Sequence, residues 1–87
     1  MDDIRQTAID RFQAYLARRQ FSAHTVASYT LDLRLFFAAI TVPLARVSFH
    51  EVDQFVERQH QHGRAWATIN RRLNALKHFF TFCLDQQ

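Results

Sequence analysis

The sequence predicts an all-α fold, and three observations support that class. Glycine and proline occur once each among 87 residues, which leaves little of the turn chemistry that β-hairpins need. Hydrophobic residues make up 48% of the chain and include nine phenylalanines, enough to fill a core. Four segments repeat apolar residues at the three- and four-residue spacing of a helix. A chain of this length forms one domain rather than two.

The first two predicted helices are separated by a short break. The first covers residues 3–19 and the second covers residues 23–39. Ser22 is the predicted N-cap of the second helix, because its hydroxyl can accept a hydrogen bond from an otherwise unpaired backbone N–H. The positions predicted to face the core are Ile4, Ala8, Phe12, Tyr15 and Leu16 in the first helix, and Val26, Tyr29, Leu33, Phe36 and Phe37 in the second.

The second half of the chain has equally clear helix signals. Pro43 ends the second helix, and residues 40–47 form an extended connection. Ser48 and Glu51 have the spacing of a capping box that opens a third helix over residues 49–62. Gly63 is placed for a left-handed C-terminal cap, and a fourth helix covers residues 66–84. The predicted inward positions are Phe49, Val52, Phe55 and Val56 in the third helix, and Ile69, Leu73, Leu76, Phe80 and Cys83 in the fourth.

The distribution of charge is the first indication of function. The net charge is +3, yet residues 58–84 contain five Arg and Lys residues and no Asp or Glu. Ten of the eleven cations are arginine, whose planar guanidinium suits phosphate oxygens and guanine edges. A solvated helix face is the alternative interpretation. One flank of the fourth helix carries Arg64, Thr68, Arg71 and Ala75, with Arg72 between it and the core, and the other carries Asn70, Asn74 and Lys77.

Two segments, taken together, resemble a known family. One is Ser22-Ala-His-Thr25, followed by Ser28-Tyr29, Asp32-Leu33 and Phe36, and the other is Gly63, the run from Thr68 to Lys77, and Phe79-Phe80. They are similar to the N-terminal SAM-like, core-binding domain of tyrosine recombinases of the phage-integrase and Xer type. The resemblance implies a compact orthogonal bundle of four or five helices. In that family the domain clamps duplex DNA opposite a catalytic domain, with its second and fourth helices toward the major groove.

The resemblance also implies which side chains contact DNA. Ala65 and Asn74 stand where relatives often have serine, so base readout can differ from theirs. We expect Arg71 to be available for DNA, and Arg72 to lie nearer the core and to reach either DNA or Asp32. The implied DNA-binding residues are Ser22, His24, Thr25 and Ser28 on the second helix, and Arg64, Thr68, Asn70, Arg71, Arg72, Asn74 and Lys77 at the fourth.

The family's catalytic residues belong to a domain that follows this one. We therefore expect residues 1–84 to be a non-catalytic DNA-binding domain and residues 85–87 to begin the linker. Tyr15 and Tyr29 lie on apolar stripes and are interpreted as core residues rather than nucleophiles. The expected partners are double-stranded DNA, the catalytic domain of the same protein and other recombinase protomers on DNA.

Several alternatives remain at this stage. A helical protein–protein interaction module and a free-standing helix-turn-helix regulator are the competing functions. Leu31 and Leu35 form a second apolar face that the first helix, a neighbouring subunit or the catalytic domain could cover, and we favour the first helix. Trp66 is interpreted as a core residue rather than a DNA contact. With one cysteine and no long apolar run, we expect a cytoplasmic protein with no membrane association, no metal and no cofactor.

Overall fold

A computed structural model describes residues 3–85 and confirms the all-α class. No strand occurs within those residues, and none of their helices is long and apolar enough to cross a membrane. Every predicted helix boundary is correct to within one residue. The elements are α1 (Asp3–Arg18), α2 (Ala23–Ala39), one 3-10 turn (Leu44–Arg46), α3 (Phe49–Gln61) and α4 (Trp66–Asp85).

α2 and α4 form the centre of the bundle. α2 packs against α1 and α4, while α3 packs against α4. α4 includes Asp85, the first residue assigned to the linker, and Gln86 and Gln87 lie outside the described residues.

Both tight turns between helices use the same backbone arrangement. Gly63 has φ +75°, as its position predicted, and the N–H of the next residue donates to the carbonyl of Gln59 at 3.1 Å. After α1, Gln20 takes the equivalent place with φ +64°, and the following N–H donates to the carbonyl of Leu16 at 3.1 Å. This pattern of bonds satisfies helix-terminal carbonyls and usually employs glycine. A glutamine at position 20 gives no sequence signal that it adopts this conformation.

The capping box at the start of α3 is confirmed. The backbone N–H and the hydroxyl of Ser48 both donate to Oε1 of Glu51 at 2.7 Å. These hydrogen bonds lower the pKa of Glu51 below its ordinary value of 4.5, and the bond from the Ser48 hydroxyl has the largest effect. A carboxylate with a depressed folded-state pKa stabilises the fold above its unfolded pKa, and that contribution disappears as the pH falls through the folded-state pKa.

The capping box gives a pH-dependent prediction. We expect Glu51→Gln to be less stable than the wild type at pH 7, and the difference to shrink as the pH falls below about 4.5, because protonation removes the charged acceptor. Urea unfolding at pH 7 and at pH 3 measures it. Glu57→Gln, on the exposed surface near the other end of α3, is the control and should show no such pH dependence. A pH-independent difference for Glu51→Gln would contradict the assignment.

The core is assembled largely from aromatic rings. Phe12 meets Phe79 edge to face at 5.4 Å, and Phe36 meets Phe55 in the same way at 5.3 Å, so all four helices contribute to one cluster. Tyr15 and Tyr29 pack against this cluster, as their positions on apolar stripes predicted. The fully or nearly fully buried apolar side chains are Ile9, Phe12, Leu16, Leu33, Phe36, Phe37, Phe55, Ile69, Ala75, Leu76, Phe79 and Phe82.

Several predicted core positions are wrong, and most share a cause. Ile4, Phe49 and Trp66 are exposed, and each lies in the first turn of its helix, where the neighbouring elements leave most of it uncovered. Helical periodicity identifies the apolar side of a helix, but it does not show which turns along that side a neighbouring helix covers. Leu31 and Leu35 are also exposed on the outer side of α2, so α1 does not cover them.

Two arginines hold the C-terminal end of α2. Nη1 of Arg5 donates to the carbonyl of Phe37 at 3.0 Å, and its Nη2 donates to the carbonyl of Val42. Nη1 of Arg58 donates to the carbonyl of Ala39 at 3.1 Å. The carbonyls of Phe37 and Ala39 are among those that a helix end leaves without partners, while the Val42 carbonyl belongs to the connection that follows. Arg58, one of the cations in the acid-free stretch, therefore has a structural contact.

Candidate nucleic-acid interface

α4 exposes to solvent the flank that carries Asn70, Asn74 and Lys77. At about 100° per residue, Lys77, Asn70 and Asn74 lie about 20°, 40° and 80° from Trp66 around the helix axis. All four side chains are exposed. Among the described residues, Asn70, Asn74 and Lys77 have no side-chain hydrogen bond or ion pair. Their amide and ammonium groups are available to a ligand.

The other flank is only partly available. Ala75 is completely buried, which corrects the expectation that it lies on a DNA-facing flank. The buried arc of α4 is wider than predicted because α2 packs on this side, and Phe79 and Phe82 are buried with Ala75. Thr68 is half-buried and Arg64 is exposed.

A buried carboxylate joins this flank to α2. The Asp32 side chain is completely buried, and Arg71 binds it through two hydrogen bonds, Nε to Oδ2 at 3.0 Å and Nη2 to Oδ1 at 2.8 Å. Hydrogen bonding to Asp32 raises the pKa of Arg71 above its ordinary value, against a smaller lowering by desolvation. Arg71 was expected to be available for DNA. The structure instead gives it the bidentate ion pair that we had considered for Arg72.

Arg72 does lie nearer the core than Arg71, as predicted: its side chain is 13% exposed, against 45% for Arg71. Its Nη1 donates to Oε1 of Gln59 on α3. Its buried Nε makes no hydrogen bond within the described chain and lies 3.5 Å from Oδ1 of Asp32. Arg72 therefore links α2, α3 and α4.

The predicted DNA-binding residues at the start of α2 also divide into residues with internal contacts and residues that are exposed. Ser22 is the N-cap: its Oγ accepts from the backbone N–H of Thr25 at 3.1 Å and donates to Oγ1 of Thr25 at 2.9 Å. His24 is exposed, and Ser28 is half-buried. The Ser22 hydroxyl is committed to starting the helix, whereas His24 has no side-chain partner among the described residues.

Three ring contacts near these helices were not predicted from the sequence. Trp66 lies against His60 of α3, with ring centroids 5.2 Å apart and planes at 31°. His78 of α4 stacks on Tyr29 of α2 at 5.7 Å and meets the edge of Phe21 at 6.0 Å. The His78 contacts join residues distant in sequence, so no local spacing could have indicated them, whereas the contact of Trp66 with His60 spans the turn at Gly63.

The comparisons with known proteins agree with this architecture. Residues 9–87 match the family described as phage integrase, N-terminal SAM-like domain. The chain therefore belongs to the family of N-terminal SAM-like domains of phage integrases.

Two curated relatives cover most of the chain. Tyrosine recombinase XerC of Xanthomonas axonopodis pv. citri (strain 306) is 28% identical over 92% of this chain and 31% of its own length. Tyrosine recombinase XerD of Chlamydia pneumoniae is 34% identical over 93% of this chain and 28% of its own length. The chain thus spans about a third of each relative. No solved structure gives a significant match.

Proposed function

We propose that this chain is the DNA-binding, core-binding module of a site-specific tyrosine recombinase, and that DNA cleavage and rejoining take place in a separate catalytic domain. The family match over residues 9–87 supports the class. The observation that carries the DNA-binding role is the exposed polar face of α4, within a stretch that has five cations and no acidic residue. The proposed protein partners are other recombinase protomers and the catalytic domain. The proposed location is the cytoplasm.

The structure favours one part of the predicted site as the DNA surface. Ser22, Arg71 and Arg72 have internal contacts that position α2 and α4, whereas Asn70, Asn74 and Lys77 have unoccupied donors and acceptors. Asparagine can bind adenine edges through two hydrogen bonds, and lysine binds phosphate. We propose that the flank with Asn70, Asn74 and Lys77 faces the duplex, with Arg71 at its border.

Duplex titration at two salt concentrations tests the proposal. We expect weak binding, with dissociation constants of about 10⁻⁴ to 10⁻⁶ M at physiological salt, because one small module makes only a few phosphate contacts. The affinity should fall steeply as salt rises, since phosphate binding releases counterions. A protein-interaction module would show no salt-dependent DNA binding. Salt-independent binding, or none at low salt, would contradict the proposed function.

Lys77 gives a sharper version of the same test. Lys77→Ala should reduce the slope of log affinity against log salt by about one unit, because one phosphate contact is lost. Its exposure means that the melting temperature should change little. Arg11→Ala removes one positive charge from the exposed surface of α1 and is the matched control. Equal slopes for the two variants would place the DNA surface elsewhere.

A further inference from the structure

We infer that Trp66, held against His60, binds the sugar–phosphate backbone of duplex DNA at one end of the α4 polar face. This inference rests on the proposed function and extends it to a residue outside the predicted site. Trp66 is the only tryptophan in the chain and is 59% exposed in the first turn of α4. A tryptophan left in water contributes little to folding, and it offers a ligand both an apolar ring face and an N–H donor.

The contact with His60 gives the indole a defined position. One side of the ring lies 5.2 Å from the imidazole, centroid to centroid, which leaves the remainder of the indole toward solvent. His60 belongs to α3 and Trp66 to α4, so the pair also bridges the turn that Gly63 forms. A ring held in this way loses less conformational freedom on binding than an isolated surface side chain would.

The surroundings of the pair favour an anionic ligand. Arg64, His60 and His62 are exposed around the turn. The first turn of α4 has no acidic residue, and the nearest acidic positions in sequence are Glu57 and Asp85. Phosphate oxygens would therefore meet the Arg64 guanidinium and histidine N–H donors here, and no carboxylate from α4 between Trp66 and Leu84.

The position of Trp66 also fits the dimensions of a duplex. Trp66 and Lys77 lie about 20° apart around α4 and about 16 Å apart along it. The major groove is about 12 Å wide, so the two residues can reach backbone on opposite sides of the groove while Asn70 and Asn74 lie between them. The indole face can pack against a deoxyribose, and its Nε1–H can donate to a phosphate oxygen.

The single tryptophan provides its own reporter. With the unmodified 87-residue chain and a short duplex, we expect Trp66 fluorescence to change with the same midpoint as the anisotropy of the labelled duplex. Trp66→Ala should weaken duplex binding about five- to tenfold, the low end for an aromatic contact with nucleic acid, without lowering the melting temperature. Trp66→Phe should recover part of the loss, because it keeps ring packing and removes the N–H.

A matched control separates a local contact from a general loss of aromatic surface. Phe49 is also exposed, at 82%, and lies about 16 Å along α3 from His60, so Phe49→Ala should leave duplex affinity unchanged. Duplex binding with unaltered Trp66 fluorescence and a normal affinity for Trp66→Ala would overturn this inference and leave the proposed function intact. The absence of any salt-dependent duplex binding by the wild type would overturn both. If Trp66→Ala weakened binding to single-stranded DNA more than binding to duplex DNA, Trp66 would stack on bases rather than pack against the duplex backbone, and the inference would be wrong.

Discussion

Asp32→Ala is expected to destabilise the domain by about 3 to 5 kcal/mol, the usual cost of removing one member of a buried ion pair. The carboxylate is completely buried and accepts two hydrogen bonds from Arg71, and Arg72 Nε lies 3.5 Å away. Without it, Arg72, whose side chain is only 13% exposed, keeps its charge in the interior with Gln59 as its hydrogen-bond partner. Folded proteins are stable by only about 5 to 15 kcal/mol in total, so this loss should remove a large part of the stability of the domain.

Urea unfolding followed by circular dichroism measures this loss. Asp10→Ala is the matched control, since Asp10 is an exposed aspartate on α1 whose hydrogen bond with Gln6 is local. It should change stability by no more than about 0.5 kcal/mol. Similar unfolding midpoints for the two variants would contradict the structural role of Asp32.

A second variant tests whether the loss comes from unpaired charge. In Asp32→Leu combined with Arg72→Leu, the buried carboxylate and the more buried of its two arginine neighbours are removed together, while Arg71, whose side chain is 45% exposed, can turn to water. Hydrophobic replacements of buried ion pairs are often neutral or stabilising. The double variant should therefore be more stable than Asp32→Ala. If it is not, the loss in Asp32→Ala arises from packing rather than from the charge left on Arg72.

Helix boundaries were predictable because their signals are local. Ser22, Ser48 with Glu51, and Gly63 each act on backbone groups within four residues, and each has the predicted role in the structure. Gln20 shows the limit of such signals, because its positive φ has no sequence signature. The same bond pattern forms after α1 with a residue that rarely adopts it.

The faces of the helices were less predictable because tertiary contacts decide them. The apolar stripe of α4 omitted Ala75 and Phe79, which α2 and α1 cover in the bundle. The choice between Arg71 and Arg72 as the main partner of Asp32 depends on how α2 crosses α4, which helical spacing does not encode. The resemblance placed the candidate residues at α2 and α4, but it could not separate those with internal contacts from those that are exposed.

Phe79→Ala is expected to cost about 3 to 5 kcal/mol of unfolding free energy, because it empties the centre of the aromatic core. The Phe79 side chain is completely buried and meets Phe12 of α1 at 5.4 Å and Phe37 of α2 at 5.7 Å, both near edge to face. Truncation therefore removes ring contacts with two helices at once and leaves a cavity that rigid neighbouring rings fill poorly.

Phe49→Ala is the control for this prediction, since it deletes the same side chain from a site that is 82% exposed. It should change stability by about 0.5 kcal/mol or less. Thermal and urea unfolding of both variants, followed by circular dichroism, measure the difference. Helical periodicity alone assigned Phe49 to the core and left Phe79 out, so the two variants test the structure against that pattern. A larger loss for Phe49→Ala than for Phe79→Ala would mean that α3 and α4 are rotated from the orientation described.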